Sequence, residues 1–388
     1  GVFATSFKEK ADFGQVIGSI AGYATDLSRL PEDEQQRRLI GSLRDNPCLL
    51  VWDNLEPVAG YPQGAEPLAT DEERAKLCRF LKALRGGKSR VLITTRKPAE
   101  DWLGIAYKLV EVGGLTGRDA GQLAKAVLTT VGCRPEDFRE DPDYARLVGL
   151  LKGHPRSLEV VLPHLRTKSP ATIIEALQHR IDSLEEALED ASLGYAFSLM
   201  SPRTRRHLPF LGLFASYVHV GILGNFVAAG DQQQQVYEEI LGEALAAGGW
   251  EAVLEEAGGN GLLRPLDSRL YEIPPTLSPY LRRQLAAAVG EEGLGRLDSE
   301  FVKFYAAWAS HLFEGVRKAE ENALTAVTVE EDNLLRALRL AETSEQWATA
   351  GAIAQTLGEF YEARGRTDEW KALCGRLLAR VDGQMSPV

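Results

Sequence analysis

No run of apolar residues in this chain approaches the length of a membrane span, and no signal-peptide pattern is visible. Positive charge in excess is also missing. Lys and Arg number 44 against 55 Asp and Glu, a net charge of −11, so no general attraction to nucleic acid or an anionic membrane is expected. Cysteine is scarce: Cys48, Cys78, Cys133 and Cys374 lie far apart, with no CxxC pair and no metal-ligand spacing. They read as reduced, mostly buried thiols of a cytoplasmic protein. The six histidines (His154, His164, His179, His207, His219 and His311) show no metal spacing either, and none pairs evidently with a Cys or Ser for nucleophilic chemistry. The chain begins at Gly1 where a Met is usual, which suggests a processed or excised piece.

What is present is an ordinary globular composition, 44% hydrophobic and 26% charged, over 388 residues. That length suits about two to four domains. Residues 1 to about 112 alternate between strand and helix patterns. Val2 to Phe7 reads as a strand, Phe13 to Leu27 and Pro31 to Leu43 as helices. Cys48-Leu49-Leu50-Val51-Trp52-Asp53 is a short buried strand that ends in a carboxylate. A Gly/Pro-rich loop from Ala59 to Pro67 follows, long enough to be functional. Asp71-Glu72-Glu73 opens a helix with acids matched to its dipole, and Gly86-Gly87 ends it. Arg90 to Arg96 is a further strand and Ala106 to Val112 another. Strands spaced by helices imply a parallel sheet with right-handed crossovers.

Beyond Thr116 the pattern is wholly helical to about Leu188, with segments at 116–131, 141–151, 155–166 and 170–181. Helical stretches around 202–214 and 232–256 then precede a hairpin, its strands at Gly261–Pro265 and Leu270–Ile273, an order that fits a winged-helix domain. From about Leu294 the chain is helical again, with Gly295 and Gly365 among its few breakers. The basic cluster Arg203-Arg205-Arg206-His207 lies near the start of the winged-helix stretch, and nucleic-acid contact is not expected from it. The acidic run Glu185-Glu186-Glu189-Asp190 reads as a solvated helix face.

Three elements carry chemistry. Ligands of parallel sheets sit outside the carboxyl ends of the strands, where Asp53 stands. Ile93-Thr94-Thr95-Arg96 puts a cation at the same end of another strand, and a planar guanidinium suits phosphate oxygens. Gly153-His154-Pro155 makes a tight turn before a helix, and its proline can pack on a base ring. Each has a plain structural alternative: a turn aspartate, a solvated arginine and a proline-started helix.

In this order the elements closely resemble the NB-ARC branch of the STAND class of P-loop NTPases, over roughly residues 1–290. The resemblance implies α/β plus all-α architecture: a parallel-sheet P-loop NTPase core (1–114), a helical bundle (115–190), a winged-helix domain (191–290) and C-terminal helical repeats (291–388). It makes Asp53 the Walker B acid that holds Mg²⁺ through water, Arg96 the sensor of the terminal phosphate and Pro155, with Gly153 and His154, the adenine contact. ADP or ATP is then the cofactor. Asn54, where many active ATPases carry a second carboxylate, cannot serve as a base. Glu56 is the nearest substitute, and slow hydrolysis follows. Pro274 stands where relatives usually place the histidine that helps hold ADP.

The phosphate loop Gly-x-x-x-x-Gly-Lys-Ser/Thr is missing. Gly86-Gly87-Lys88-Ser89 is a decoy, because it leads into a strand and opens no helix. The expectation is a phosphate loop upstream of Gly1, without which nucleotide affinity is poor. Glu330 to Leu338 resembles the entry helix of a tetratricopeptide-type array in bacterial regulators, and Gly365 to Trp370 a turn between its helices. The resemblance therefore implies a nucleotide-dependent signalling switch, with a protein partner at the C-terminal helices and self-association when ATP is bound. The alternative is an inactive NTPase-fold scaffold for protein–protein interaction. No acid, base or nucleophile for metabolic chemistry is evident.

Overall fold

The computed structural model describes residues 1–21, 32–61, 67–97, 100–183, 187–227 and 232–385. The end of the first expected helix, the centre of the Gly/Pro-rich loop and Glu185-Glu186 lie outside the described residues.

The chain opens with β1 (Val2–Ser6), α1 (Phe13–Ala21), α2 (Glu32–Asp45), β2 (Leu49–Asp53), α3 (Asp71–Leu84) and β3 (Arg90–Ile93). The strands pair in parallel in the order β1-β2-β3, with Val51 opposite both Ala4 and Leu92. Both crossovers advance in the same direction across the sheet, so right-handed connections put all three helices on one face. Phe3, Leu50, Trp52, Val91 and Ile93 point to that face and pack with Val16, Ile20, Leu43, Leu77 and Phe80. The other face is not covered in the same way: Val2 is 70% exposed and Leu92 52%. Thr70 caps α3, its hydroxyl accepting from the Glu73 N–H, and Arg85 with Gly86 ends it.

Next come α4 (Gly117–Thr130), α5 (Pro142–Leu150), α6 (Pro155–Val161), α7 (Pro170–Ser183) and α8 (Leu188–Ser198), packed around Leu128, Leu147, Leu158, Leu162 and Leu177. Then follow α9 (Pro202–His207), β4 (Tyr217–His219), α10 (Val220–Phe226), α11 (Gln232–Leu241), α12 (Ala247–Gly259), β5 (Arg264–Pro265) and β6 (Leu270–Glu272). The expected hairpin exists as β5 and β6, and β4 joins it in an antiparallel sheet ordered β4-β6-β5. Phe210 sits among Tyr237, Phe226 and Trp250, with ring centroids 5.0 to 5.9 Å away.

The remainder is helical: α13 (Leu277–Arg317), α14 (Glu321–Thr343), α15 (Trp347–Ala363) and α16 (Thr367–Met385). α13 breaks at Gly290, where φ is 71°, and passes unbroken through Gly295, so the expected breaker is displaced by five residues. Gly365, with φ 69°, lies between α15 and α16 as expected. No described helix is long and apolar enough to cross a membrane.

Two further expectations are corrected. Ala106–Val112 is not a strand; Leu109, Val110 and Val112 are 51%, 68% and 94% exposed. Its β-branched and aromatic residues favour extended backbone, but β propensity makes no strand without a neighbour for the ladder. Of the cysteines only Cys48 is buried; the other three are half-buried.

The chain forms two compact units, Gly1–Val110 with Tyr305–Val388, and Glu111–Phe304.

Candidate functional site

In the first unit the parallel sheet gathers four of the expected residues at its carboxyl edge. Asp53 ends β2 exposed, and Thr94, just past β3, donates from Oγ1 to Asp53 Oδ1 at 2.5 Å. The same Thr94 Oγ1 accepts from the Asn54 N–H at 3.0 Å, and its carbonyl accepts from the Leu55 N–H at 3.0 Å. Asn54 turns the chain with φ 56°, a left-handed conformation that Asn adopts at low cost. The turn delivers Glu56 into the interior at 1% exposure, where Arg96 Nε donates to Glu56 Oε1 at 2.6 Å. Glu56 Oε2 is buried and has no hydrogen-bond partner among the described residues. The Arg96 guanidinium also lies 5.5 Å from the centroid of the Tyr61 ring.

Each residue of Thr94-Thr95-Arg96 thus holds a different acid. Thr95 Oγ1 donates to Glu100 Oε1 at 2.6 Å, while Glu100 Oε2 accepts from Trp102 Nε1 at 2.8 Å. Thr94 and Glu100 were not singled out by the sequence reading. The available signal was a hydroxyl residue at a strand end beside an acid on the neighbouring strand, visible only once the register is known. The decoy Gly86-Gly87-Lys88-Ser89 lies at the amino end of β3, the end opposite Asp53. There Ser89 Oγ donates to the Leu43 carbonyl and accepts from the Cys48 N–H, a structural tie.

Gly153, His154 and Pro155 belong to the second unit. Gly153 has φ 65°, and its carbonyl accepts from the Leu115 N–H at 2.8 Å. A Cβ there would stand 2.3 Å from the Leu115 carbonyl oxygen, so glycine is required for packing whatever binds nearby. His154 caps α6, its Nδ1 accepting from the Ser157 N–H at 3.2 Å, and Pro155 takes the first helical position. Pro274 follows β6 and is buried, its carbonyl accepting from the Leu277 N–H at the start of α13.

Of the basic cluster, Arg203 pairs with Glu243 at 3.1 Å, and His207 is fully buried with Nδ1 2.9 Å from the Tyr237 hydroxyl. Asp190 of the acidic run pairs with Arg283 at 2.7 Å.

Chemically, the edge holds an exposed carboxylate bonded to a hydroxyl and, beside them, a cation bonded to a buried acid. Asp53 offers the hard oxygen that suits Mg²⁺, an ion bound characteristically through one or two carboxylates, waters and substrate phosphates. Among the described residues no group of three or more His, Cys, Asp and Glu side chains is placed to hold a metal. Arg96 is the group able to meet an anion. Searches against protein-family models and against curated proteins found no match to this chain.

Proposed function

We propose that the chain is part of a nucleotide-dependent signalling switch of the STAND NTPase class, working in the cytoplasm and controlled by ADP and ATP. The observation that carries this reading is the joining of Asp53 to Thr94, and of Arg96 to Glu56, at the carboxyl ends of neighbouring parallel strands. In this reading Asp53 holds Mg²⁺ through water, Arg96 meets the terminal phosphate, and the Gly153-His154-Pro155 turn meets the adenine. The phosphates themselves need a loop that this sequence does not contain.

The sheet supports that last point. Among the described residues β3 is an edge strand and the face carrying Val2 and Leu92 is exposed, whereas parallel sheets are ordinarily buried on both faces. A strand added beside β3 and joined to β1 by a right-handed crossover reverses the winding direction, so its helix falls on that exposed face. The reversal creates a topological switch point beside Thr94 and Arg96, the place where such sheets bind ligands.

Asn54 cannot act as a base, and Glu56 is engaged by Arg96, which fits a slow switch better than a rapid enzyme. The α9–β6 region acts as the winged-helix part and α14–α16 as the tetratricopeptide-like part of the switch, with opening and oligomerisation as its output. Pro274 in place of a histidine favours a second reading, an NTPase-fold scaffold without nucleotide control.

Titration calorimetry of the full-length protein tests the two. The switch reading expects ADP and Mg·ATP to bind, Asp53→Ala to weaken Mg·ATP about tenfold or more, and Arg96→Ala to weaken ATP more than ADP. Binding that is absent, or indifferent to both substitutions, favours the scaffold.

A further inference from the structure

The segment that follows β1 is gripped by the C-terminal helices. Glu9 and Lys10 are 5% and 8% exposed and face opposite partners. Arg336 and Arg339 of α14 donate to the two Glu9 oxygens at 2.7 and 2.8 Å. Lys10 Nζ bonds Glu369 of α16, lies 3.4 Å from Glu331 of α14, and sits 4.4 Å from the centroid of the Tyr361 ring of α15. The cage around Lys10 is organised independently of it. Arg366 holds Glu331 through both oxygens at 2.7 and 2.8 Å, and Glu369 at 2.7 Å, while stacking over Tyr361.

The helix that follows is fitted to the same surface. Gly14 and Gly18 of α1 face α16: a Cβ on Gly14 would lie 2.6 Å from the Asp368 carbonyl oxygen, and one on Gly18 3.1 Å from Glu369. Charge pairing and close helix approach therefore coincide at one place, from two separate features of the sequence.

We propose that α14–α16 form a recognition surface for a peptide carrying an adjacent acid and base before a small-faced helix, and that this chain's own Glu9-Lys10 segment is its resident ligand. A contact meant only to fuse two parts of a core has no need of seven buried or half-buried charges, since apolar residues of like volume serve as well or better. Charges give the surface selectivity for an acid beside a base and allow the segment to return to water when displaced. A partner carrying the same pair competes with the internal segment for the surface. The inference does not depend on nucleotide binding.

The test uses the full chain with Glu9→Ser and Lys10→Ser together, and a labelled peptide copying Ser6–Ala21. With the resident side chains gone, amide exchange in α1 and α16 should rise about tenfold or more. The peptide should bind this variant at least about tenfold more tightly than wild type, whose surface is already filled. Adding Arg366→Met should abolish that gain. Unchanged exchange, or peptide binding that is absent or equal in both proteins, overturns the proposal. If the double variant does not fold, Lys10→Gln carries both readouts with effects of about threefold.

Discussion

Arg96 and Glu56 form an ion pair in which only one partner meets water: Arg96 is 43% exposed and Glu56 is 1% exposed, 2.6 Å from it. The buried carboxylate therefore depends on a cation that a ligand at the sheet edge could compete for. Removing Arg96 leaves the buried Glu56 carboxyl without its partner, so Arg96→Ala should destabilise the protein by about 2 kcal/mol. That is below the cost of breaking a fully buried pair, because water reaches the guanidinium side. Glu56→Gln keeps the shape and removes the charge, and should cost less than Arg96→Ala. Urea denaturation followed by tryptophan fluorescence gives both values; equal or reversed costs would show that the pair is not organised around the buried acid.

Gly14 and Gly41 provide a controlled pair. Gly41 lies in the interior of α2 and Gly14 in the first turn of α1; alanine gains about 1 kcal/mol of helix propensity at an interior helical position. A Cβ at Gly41 meets nothing within 4 Å, whereas one at Gly14 would collide with the Asp368 carbonyl and Ala372. Gly41→Ala should therefore stabilise by about 0.5–1 kcal/mol and Gly14→Ala destabilise by about 2 kcal/mol. Thermal melts of the two variants should move in opposite directions.

Gly153→Ala should be costly for two reasons acting together. The backbone is left-handed there, and the new methyl would meet the Leu115 carbonyl oxygen 2.3 Å away. A loss of about 3 kcal/mol is expected, together with faster amide exchange at Leu115, whose N–H is bonded to Gly153. Near-neutral behaviour would remove the packing explanation and leave ligand contact as the reason for this glycine.

His164 sets a pH dependence. Burial, aided by the nearby Arg166 charge, lowers its pKa from 6.5 to about 4, and its Nε2 has no hydrogen-bond partner among the described residues. The folded state binds its proton less readily than the unfolded chain does. Its contribution is thus complete above 6.5 and is lost as pH falls from 6.5 toward about 4, by up to about 1.4 kcal/mol per pH unit. His207, whose pKa burial also lowers, acts in the same direction. Denaturation at pH 7 and pH 5 should show wild type losing about 2 kcal/mol more than His164→Phe.

The local features of this fold were legible in the sequence for definite reasons. Alternating strand and helix patterns marked β1 to β3; Asp71-Glu72-Glu73 and Gly86-Gly87 marked the two ends of α3; and the apolar run before Asp53 placed that carboxylate at the sheet's edge. These depend on periodicity, caps and turn residues within a few positions of one another. Ala106–Val112 misled because strand propensity is local while the ladder that makes a strand is not.

The sequence by itself determined which residues stand at or just past strand ends and at helix starts: Asp53, Arg96 (three residues beyond β3, which ends at Ile93 and not at Arg96 as expected), His154 and Pro155. Only the tertiary structure decided which of them act together. Register alone puts Thr94 against Asp53 and brings Arg96 to a buried Glu56 forty positions earlier. Chain folding over more than 300 positions sets Glu9 and Lys10 among Arg336, Arg339 and Glu369. A charge in a sequence reads as solvated until a partner is known. The partner is chosen by which distant backbone the core packing brings near, and no local pattern encodes that choice.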